Sequence, residues 1–148
     1  YWIQSKEMGL LFMKKYKNYV SNLKILEKAK QEDLTNEFIL SGIIDKFFIQ
    51  FELGWKVMKE LLLYEGRSIG STGSPRSIIK AAYAVWDFID EEKWLEMLKA
   101  RNDMSHMYDE LAAKKLVQDI LDRYIPEFQK IKNELEEQYG DMLEQQEL

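Results

Sequence analysis

The sequence predicts an all-α protein, an antiparallel up-and-down four-helix bundle with one additional short helix. Apolar residues recur at helical spacing through most of the chain, and no stretch alternates apolar and polar residues as a strand would. Residues with capping side chains precede the apolar runs, as expected at helix starts. At 148 residues, 46% of them apolar, the chain is long enough for one bundle with a hydrophobic core.

Two long helices open the predicted bundle. The first is carried by apolar residues at helical spacing: Tyr16, Tyr19, Val20, Leu23, Leu26 and Ala29. A polar stretch follows, with Asp33, Thr35 and Asn36 as candidate N-caps. The second helix is predicted over residues 36 to about 65, and about 30 residues at a rise of about 1.5 Å give a rod of about 45 Å. Its wide, aromatic stripe suits either a purely internal helix or one that also packs against a partner.

Glycine marks two features of this region. Gly42 and Gly54 lie inside the second helix, where each costs about 1 kcal/mol relative to alanine. Close packing against a neighbouring helix would offset that cost, although single glycines are also tolerated without such a reason. The loop 66–74 begins with Gly66, the expected C-cap, and ends with Ser74, the expected N-cap of a helix that starts with proline. A phosphate cradle is the alternative for this loop, but it lacks the Walker pattern, its lysine and a preceding strand.

The remaining predicted helices surround the most polar part of the chain. The third covers residues 75 to about 86, and Asp90 is predicted to cap the fourth, with acidic residues in its first turn facing the positive end of the helix dipole. Asp109 is the candidate cap of a fifth helix. Its apolar face comprises Leu116, Val117, Ile120, Leu121, Tyr124, Phe128, Ile131 and Leu135. Pro126 removes one backbone hydrogen bond and is predicted to kink this helix.

The composition argues against several kinds of site. Without cysteine the chain has no disulfide, thiolate metal ligand or cysteine nucleophile, and one histidine is too few for a histidine-based zinc site. We therefore expect no cofactor and no metal. No apolar run approaches the ~20 residues that span a bilayer, and the N-terminal stretch lacks the layout of a signal peptide. A cytoplasmic protein without membrane contact is expected.

Charge is distributed unevenly along the chain, whose formal net charge is −5. The first helix is rich in lysine and the C-terminal end is acidic, and two solvated faces are the simplest interpretation. A net negative chain does not favour non-specific binding to nucleic acid. We expect an N-terminal extension over residues 1–13, a helical bundle domain over 14–139 and an acidic tail over 140–148.

The residues with the clearest chemical potential form one segment, 101–108, with the sequence Arg-Asn-Asp-Met-Ser-His-Met-Tyr. His106 is the only histidine in the chain, so any imidazole chemistry must use it. In a continuous helix Arg101 and Ser105 would share a face. Arg101 and His106 would lie roughly 140° apart, so a common site for them needs a bend near His106 or a second copy of the chain.

This segment carries a resemblance to a known family. Arg-x4-His-x-Tyr, here Arg101, His106 and Tyr108, resembles the signature of HEPN domains (higher eukaryotes and prokaryotes nucleotide-binding). More narrowly, the chain resembles bacterial and archaeal nucleotidyltransferase substrate-binding subunits, which include the HEPN toxins paired with minimal-nucleotidyltransferase antitoxins. Phe-Glu-x-x-Trp-Lys at 51–56 resembles the core of the family's long second helix, and Ser-Pro-Arg at 74–76 resembles its next helix start.

The resemblance, which covers residues 14 to about 131, first implies a metal-independent endoribonuclease with RNA as its substrate. The ribose 2′-hydroxyl would attack the phosphate and leave a cyclic phosphate. His106 would act as general acid or base and Arg101 would stabilise charge on the phosphate oxygens. Asn102 and Ser105 would orient these groups. The family places this motif near a homodimer cleft, which would also bring residues of two copies together.

A second hypothesis makes the chain the partner of a minimal nucleotidyltransferase protein. It would present substrate to that enzyme, or accept AMP on Tyr108, where a bulky anion could block the phosphate site. The chain is not expected to be a nucleotidyltransferase itself, because Asp87 and Asp90 are three residues apart in a helical context, whereas the metal site of that enzyme needs two carboxylates two apart on a strand. The third hypothesis is a helical interaction module without chemistry.

Overall fold

The computed structural model describes residues 2–103, 105 and 108–144. These residues form helices and connecting turns without a strand, which confirms the predicted all-α bundle. The helices are α1 (Trp2–Leu26), α2 (Glu37–Tyr64), α3 (Ile69–Thr72), α4 (Pro75–Val85), α5 (Glu91–Asn102), α6 (Glu110–Asp119) and α7 (Ile125–Glu144). A 3₁₀ turn, Glu27–Gln31, follows α1, and a π-helical turn, Ile120–Tyr124, joins α6 to α7. Within these ranges no helix combines the length and apolar character needed to cross a membrane.

The predicted N-caps are in place. The Asn36 side chain accepts hydrogen bonds from two amides in the first turn of α2, and Asp109 does the same for α6. Asp90 accepts from the third amide of α5. At the start of α4 the Ser74 hydroxyl accepts a hydrogen bond from the Ser77 amide, and Pro75 occupies the first helical position. Each cap satisfies amides that lack an intrahelical partner, so four of the helix starts follow directly from local sequence.

Gly66 ends α2 as predicted, with φ of +78° in the left-handed region that glycine adopts without strain. The Arg67 amide donates to the Leu62 carbonyl at 2.7 Å, and the Gly66 amide donates to the Leu63 carbonyl at 3.0 Å. This pair of bonds satisfies the last carbonyls of the helix. The loop that follows is less irregular than predicted, because it contains the single turn α3, which is too short to leave a periodic pattern in the sequence.

The helix α1 is longer than its apolar repeat indicated. It begins at Trp2, and its last predicted residues lie in the 3₁₀ turn that follows it. Phe12 is fully buried and Met13 is 8% exposed, so side chains of the predicted N-terminal extension take part in the core. The expected boundary after residue 13 therefore lies within one continuous helix.

Buried polar side chains join α1 to α2. The Asn22 amide donates to the Gln50 side-chain oxygen at 2.8 Å and to the Lys46 carbonyl at 3.0 Å. The Gln50 amide in turn donates to the Tyr19 carbonyl at 3.1 Å. Both side chains are buried, so these bonds replace the water that the amide groups lose on folding.

Tyrosines of α1 hold α7 alongside it. The Tyr19 hydroxyl donates to the Phe128 carbonyl at 2.7 Å, and the Tyr16 hydroxyl donates to Glu136 at 3.0 Å. One turn further on, the Phe12 and Tyr139 rings lie 5.7 Å apart. The contacts move towards the C-terminus of α7 as they move towards the N-terminus of α1, so the two helices are antiparallel.

Trp94 of α5 fills the centre of the bundle. Its buried ring lies against Gly54, where a Cβ atom would fall 2.9 Å from Cζ3 and closer still to Cη2. The close packing predicted as a reason for this glycine is therefore present. Near Gly42, by contrast, no described atom beyond its chain neighbours and the local backbone of α2 lies within 4 Å of an added Cβ. The Trp94 ring nitrogen donates to Glu127 of α7, a carboxylate that is 2% exposed.

The helix containing Pro126 changes geometry immediately before the proline. In the π-helical turn the Ile125 amide donates to the Ile120 carbonyl, five residues back. Proline has no amide hydrogen, and its ring crowds the carbonyl four residues earlier, so a widened turn accommodates it. The predicted disturbance at Pro126 thus takes the form of a π turn. A second irregularity, at Tyr139 (φ −122°, ψ 17°), precedes the predicted acidic tail.

Candidate functional site

Arg101 lies in the last turn of α5 and reaches across to α2. Its Nη2 atom is 2.6 Å from Oε1 of Glu52, and the side chains of the pair are 37% and 29% exposed. Its Nη1 atom donates to the Asn102 side-chain oxygen at 3.2 Å. The guanidinium is therefore held by a carboxylate at one end while part of it still faces solvent.

Glu52 is a site residue that sequence reasoning did not select. Its second oxygen, Oε2, accepts a hydrogen bond from the Trp55 ring nitrogen at 3.0 Å. The carboxylate is thus fixed between an indole on its own helix and the guanidinium of α5. The sequence feature that could have identified Glu52 is a charged residue beside Phe51 on the apolar side of α2. The sequence does not show which cation of a distant helix pairs with it.

Two cavities flank Arg101. One, of about 430 Å³, lies along α2 and is lined by Lys15, Phe48, Ile49, Glu52, Leu53 and Lys56 together with Arg101. The other, of about 520 Å³, lies between the start of α4 and the end of α5 and includes Ser74, Arg76, Lys99 and Asn102. Because a single guanidinium borders both, a ligand in either cavity could reach it.

The chain leaves helical geometry directly after Asn102. The Ser105 amide donates to the Asp103 side chain at 3.0 Å, and the Ser105 carbonyl accepts from the amides of Tyr108 and Asp109. These bonds form a tight turn between α5 and α6. A continuous helix, the condition under which Arg101 and Ser105 would share a face, is not present, because α5 ends at Asn102.

Tyr108 stands at the end of this turn with 89% of its surface exposed. Ser105 and Asn102 are also exposed. His106 lies outside the described residues, so its predicted closeness to Arg101 remains a prediction. The structure brings Arg101 and Asn102 into contact, and it places Ser105 and Tyr108 together in the adjoining turn.

The chemistry available at Arg101 is recognition of an anion. A guanidinium offers several N–H groups in one plane and binds phosphate or carboxylate oxygens with two bonds at once. Glu52 keeps that plane in a fixed orientation but also repels an incoming anion. In the described part of the chain, no group of three or more acidic or histidine side chains is arranged to hold a metal ion.

Comparison with known proteins identifies the family of the chain. A family model described as "Nucleotidyltransferase substrate binding protein like" matches residues 14–137, a range that includes Glu52, Arg101 and Tyr108. No curated protein matches the chain closely enough to serve as a named relative. Since the matched range covers most of the sequence, the chain belongs to the nucleotidyltransferase substrate binding protein like family.

Proposed function

We propose that this protein is a HEPN-type subunit that acts in the cytoplasm with a separate minimal nucleotidyltransferase, and that Tyr108 accepts AMP from that enzyme. Family membership supports the partnership. The observation that carries the modification is the exposure of Tyr108, 89% of whose surface is open to an approaching enzyme. Buried tyrosines such as Tyr19 and Tyr124 cannot reach a partner's active site without unfolding the bundle.

The transfer is chemically complete with the partner's substrate. The phenol oxygen of Tyr108 attacks the α-phosphorus of ATP, the bond to the bridging oxygen breaks, and pyrophosphate leaves. The phenol proton passes to a base of the partner or to water. This chain provides the acceptor on an exposed side chain, and the partner provides the nucleotide and the metal ions that such a transfer uses.

Intact-protein mass spectrometry tests this proposal. The full chain is incubated with the nucleotidyltransferase encoded beside it and with ATP, and peptide fragmentation then locates any added AMP. We expect one AMP group on wild type and none on Tyr108→Phe. Tyr83→Phe is the matched control, because Tyr83 is also exposed, at 46%, but lies on α4. Modification at another residue, or none at all, would show the proposal to be wrong.

A second candidate function, metal-independent RNA cleavage, is supported by the accessible guanidinium of Arg101. In this function the ribose 2′-hydroxyl attacks the adjacent phosphorus, the 5′-oxygen leaves, and a 2′,3′-cyclic phosphate remains. Arg101 binds the phosphate oxygens, and His106 moves the proton, a role that the sequence motif alone supports. AMP on Tyr108 would then add negative charge close to the site and inhibit it.

RNA cleavage in EDTA separates this function from a purely non-catalytic module. We expect cleavage by wild type and its loss in Arg101→Gln and in His106→Ala. Arg123→Gln is the matched control, because Arg123 is also a partly exposed arginine in an ion pair, with Glu96 at 2.8 Å. Equal cleavage by wild type and His106→Ala would assign the activity to a contaminant. The remaining function would then be that of a non-catalytic module that presents substrate.

We also propose that two copies pair along the outer side of α2 near Arg101. Ile49 is 45% exposed there and lines the same cavity as Phe48, Leu53 and Arg101. An apolar strip beside a polar site suits an interface in which two sites face each other. Light scattering of wild type and Ile49→Glu tests this, and a dimeric Ile49→Glu would contradict it.

A further inference from the structure

The cavity between α4 and α5 is strongly cationic on an acidic protein. Arg76, Lys99 and Arg101 all line it, and its other lining side chains are neutral. The whole chain carries a formal charge of −5, whereas three positive side chains surround this one cavity of about 520 Å³. The local charge therefore has the opposite sign to the net charge of the chain. Like charges placed together repel each other, and an anion between them relieves that repulsion.

The three cations differ in whether a nearby carboxylate neutralises their charge. Arg101 has the Glu52 carboxylate at 2.6 Å. Among the described residues, neither Arg76 nor Lys99 takes part in an ion pair. Among the described residues, Arg76 and Lys99 are therefore the cavity cations without a carboxylate partner, whereas the charge of Arg101 is partly neutralised by Glu52.

The ends of two helices determine where the three side chains leave the backbone. Arg76 follows Pro75 in the first turn of α4, and Lys99 lies with Arg101 in the last turn of α5. Two helices that pack on each other thus fix the distance between the backbone positions that carry these charges. Leu95 and Leu98 supply an apolar wall on the same cavity, which suits the sugar or base that accompanies a phosphate.

We propose that Arg76, Lys99 and Arg101 bind neighbouring phosphate groups of a single ligand. The inference deepens the proposed function and rests on it, because it names the chemistry of what this subunit holds. The shared chemistry is a run of two or more phosphates, present both in the tail of a nucleoside triphosphate and in an RNA backbone. Arginine binds phosphate oxygens with two parallel bonds, while lysine adds a mobile point charge.

Another lysine-rich cavity, between α1 and α7, suits such a ligand less well. Lys14, Lys17 and Lys24 line it, but so does Glu136, whose carboxylate would repel a phosphate. The cavity at α4 and α5 has no such group in its lining.

Binding of two probes tests the inference on the full chain. Inorganic tripolyphosphate is titrated by calorimetry, and a fluorescein-labelled uridine octanucleotide is titrated by anisotropy over a series of salt concentrations. Arg76→Gln/Lys99→Gln should weaken binding of tripolyphosphate by about tenfold or more. If the source is RNA, the same variant also lowers the slope of log affinity against log salt by about 0.7 for each phosphate that is no longer bound.

Two control variants accompany the test. Lys28→Gln/Lys30→Gln changes the charge by the same amount at exposed residues that line none of the three cavities, and it should change affinity by less than about twofold. Arg76→Lys/Lys99→Arg keeps the charges and should retain most of the binding. Binding retained in the charge-preserving variant assigns the loss to the missing charges, and circular dichroism of Arg76→Gln/Lys99→Gln checks that this variant is folded.

Three results would overturn the inference: no binding of either probe by wild type, equal binding by wild type and Arg76→Gln/Lys99→Gln, or equal losses in that variant and the lysine control. Failure of the proposed function looks different. Absence of AMP on Tyr108 combined with loss of tripolyphosphate binding in the double variant leaves the phosphate site standing. AMP on Tyr108 with unchanged phosphate binding removes the phosphate site alone.

Discussion

At Arg101 a single carboxylate sets how the guanidinium is presented to a ligand. Glu52 fixes one end of the group, and its own orientation depends on the indole of Trp55. Both members of the ion pair are about one-third exposed, so solvent screens much of their attraction. The pair therefore acts more on the direction of the Arg101 side chain than on the stability of the fold.

A double-mutant cycle measures this coupling. Glu52→Gln, Arg101→Gln and the double variant are unfolded in urea, and the coupling energy between the two positions should be about 0.2–1 kcal/mol. Glutamine at 52 keeps an oxygen for the Trp55 ring nitrogen, so the single variant removes mainly the charge. A coupling well above this range would mean that the pair is a structural support of the bundle.

The two glycines of α2 predict opposite effects of the same substitution. Gly54→Ala should destabilise the protein by about 1–3 kcal/mol, because the new methyl group overlaps the buried Trp94 ring. Gly42→Ala should stabilise it by about 0.5–1 kcal/mol, because that position is open and alanine favours the helix. Urea unfolding of both variants compares them directly. Stabilisation by Gly54→Ala would show that Trp94 can move aside.

Residue-level prediction from sequence succeeded where the cause was local. The caps at Asn36, Asp90 and Asp109 act through their own first turns, so their neighbours along the chain were sufficient to identify them. The partner of Glu52 is 49 positions away in sequence, at Arg101, and only the packing of α5 on α2 brings the two together.

At the scale of elements, a buried carboxylate fastens α5 to α7. Oε2 of Glu127 accepts hydrogen bonds from the Asp90 amide and the Trp94 ring nitrogen, both at 3.1 Å. Its other oxygen lies 2.9 Å from the Lys130 ammonium. The position of the start of α5 therefore depends on one side chain of α7. The position of Arg101, at the other end of the same helix, depends on it as well.

Substitutions at Glu127 separate the role of hydrogen bonding from that of charge. Glu127→Ala leaves two buried donors without an acceptor and should cost about 3 kcal/mol. Glu127→Gln keeps an acceptor for both donors and should cost about 1 kcal/mol, since Lys130 is partly exposed. Thermal and urea unfolding give both values. An equal cost for the two variants would mean that the charge, rather than the hydrogen bonds, is what matters.

Element boundaries were predicted less completely than element type. The helical spacing identified α2, α4 and α5 because each has an apolar stripe that follows a clear N-cap. The early part of α1 was assigned to an extension, yet Phe12 reaches the core. Burial of this kind depends on where α7 lies, and periodicity carries no information about that.

At the scale of the whole molecule, several tyrosines bridge neighbouring helices, among them Tyr16, Tyr19, Tyr124 and Tyr139. Burial raises the pKa of Tyr124 to about 12, and the nearby Glu96 contributes to that rise. Burial is also the largest cause of the raised pKa values of Tyr16, Tyr19 and Tyr139. In the unfolded chain a tyrosine loses its proton at about pH 10. The folded protein therefore holds these protons to higher pH than the unfolded chain does.

This difference predicts alkaline destabilisation. The contribution of these phenols is fully present below about pH 10 and is lost as the pH rises towards the folded pKa values, because the unfolded state binds fewer protons there. A buried tyrosine such as Tyr19 should lower the free energy of unfolding by about 1.4 kcal/mol per pH unit in this range. Urea unfolding from about pH 8 to about pH 11.5 measures the slope, with Tyr19→Phe expected to reduce it. A flat profile would contradict the prediction.

The hydrogen-bonded pair of Asn22 and Gln50 has a consequence for how the chain chooses one alignment. Aliphatic and aromatic surfaces tolerate sliding, since one apolar neighbour replaces another. If α1 moved along α2 by one turn, about 5.4 Å, the present three hydrogen bonds of the two carboxamides could not all be kept, and a buried amide group that loses its partner costs free energy. This buried polar pair thus disfavours other registers of α1 on α2. The surface that carries Arg101 therefore has a single shape.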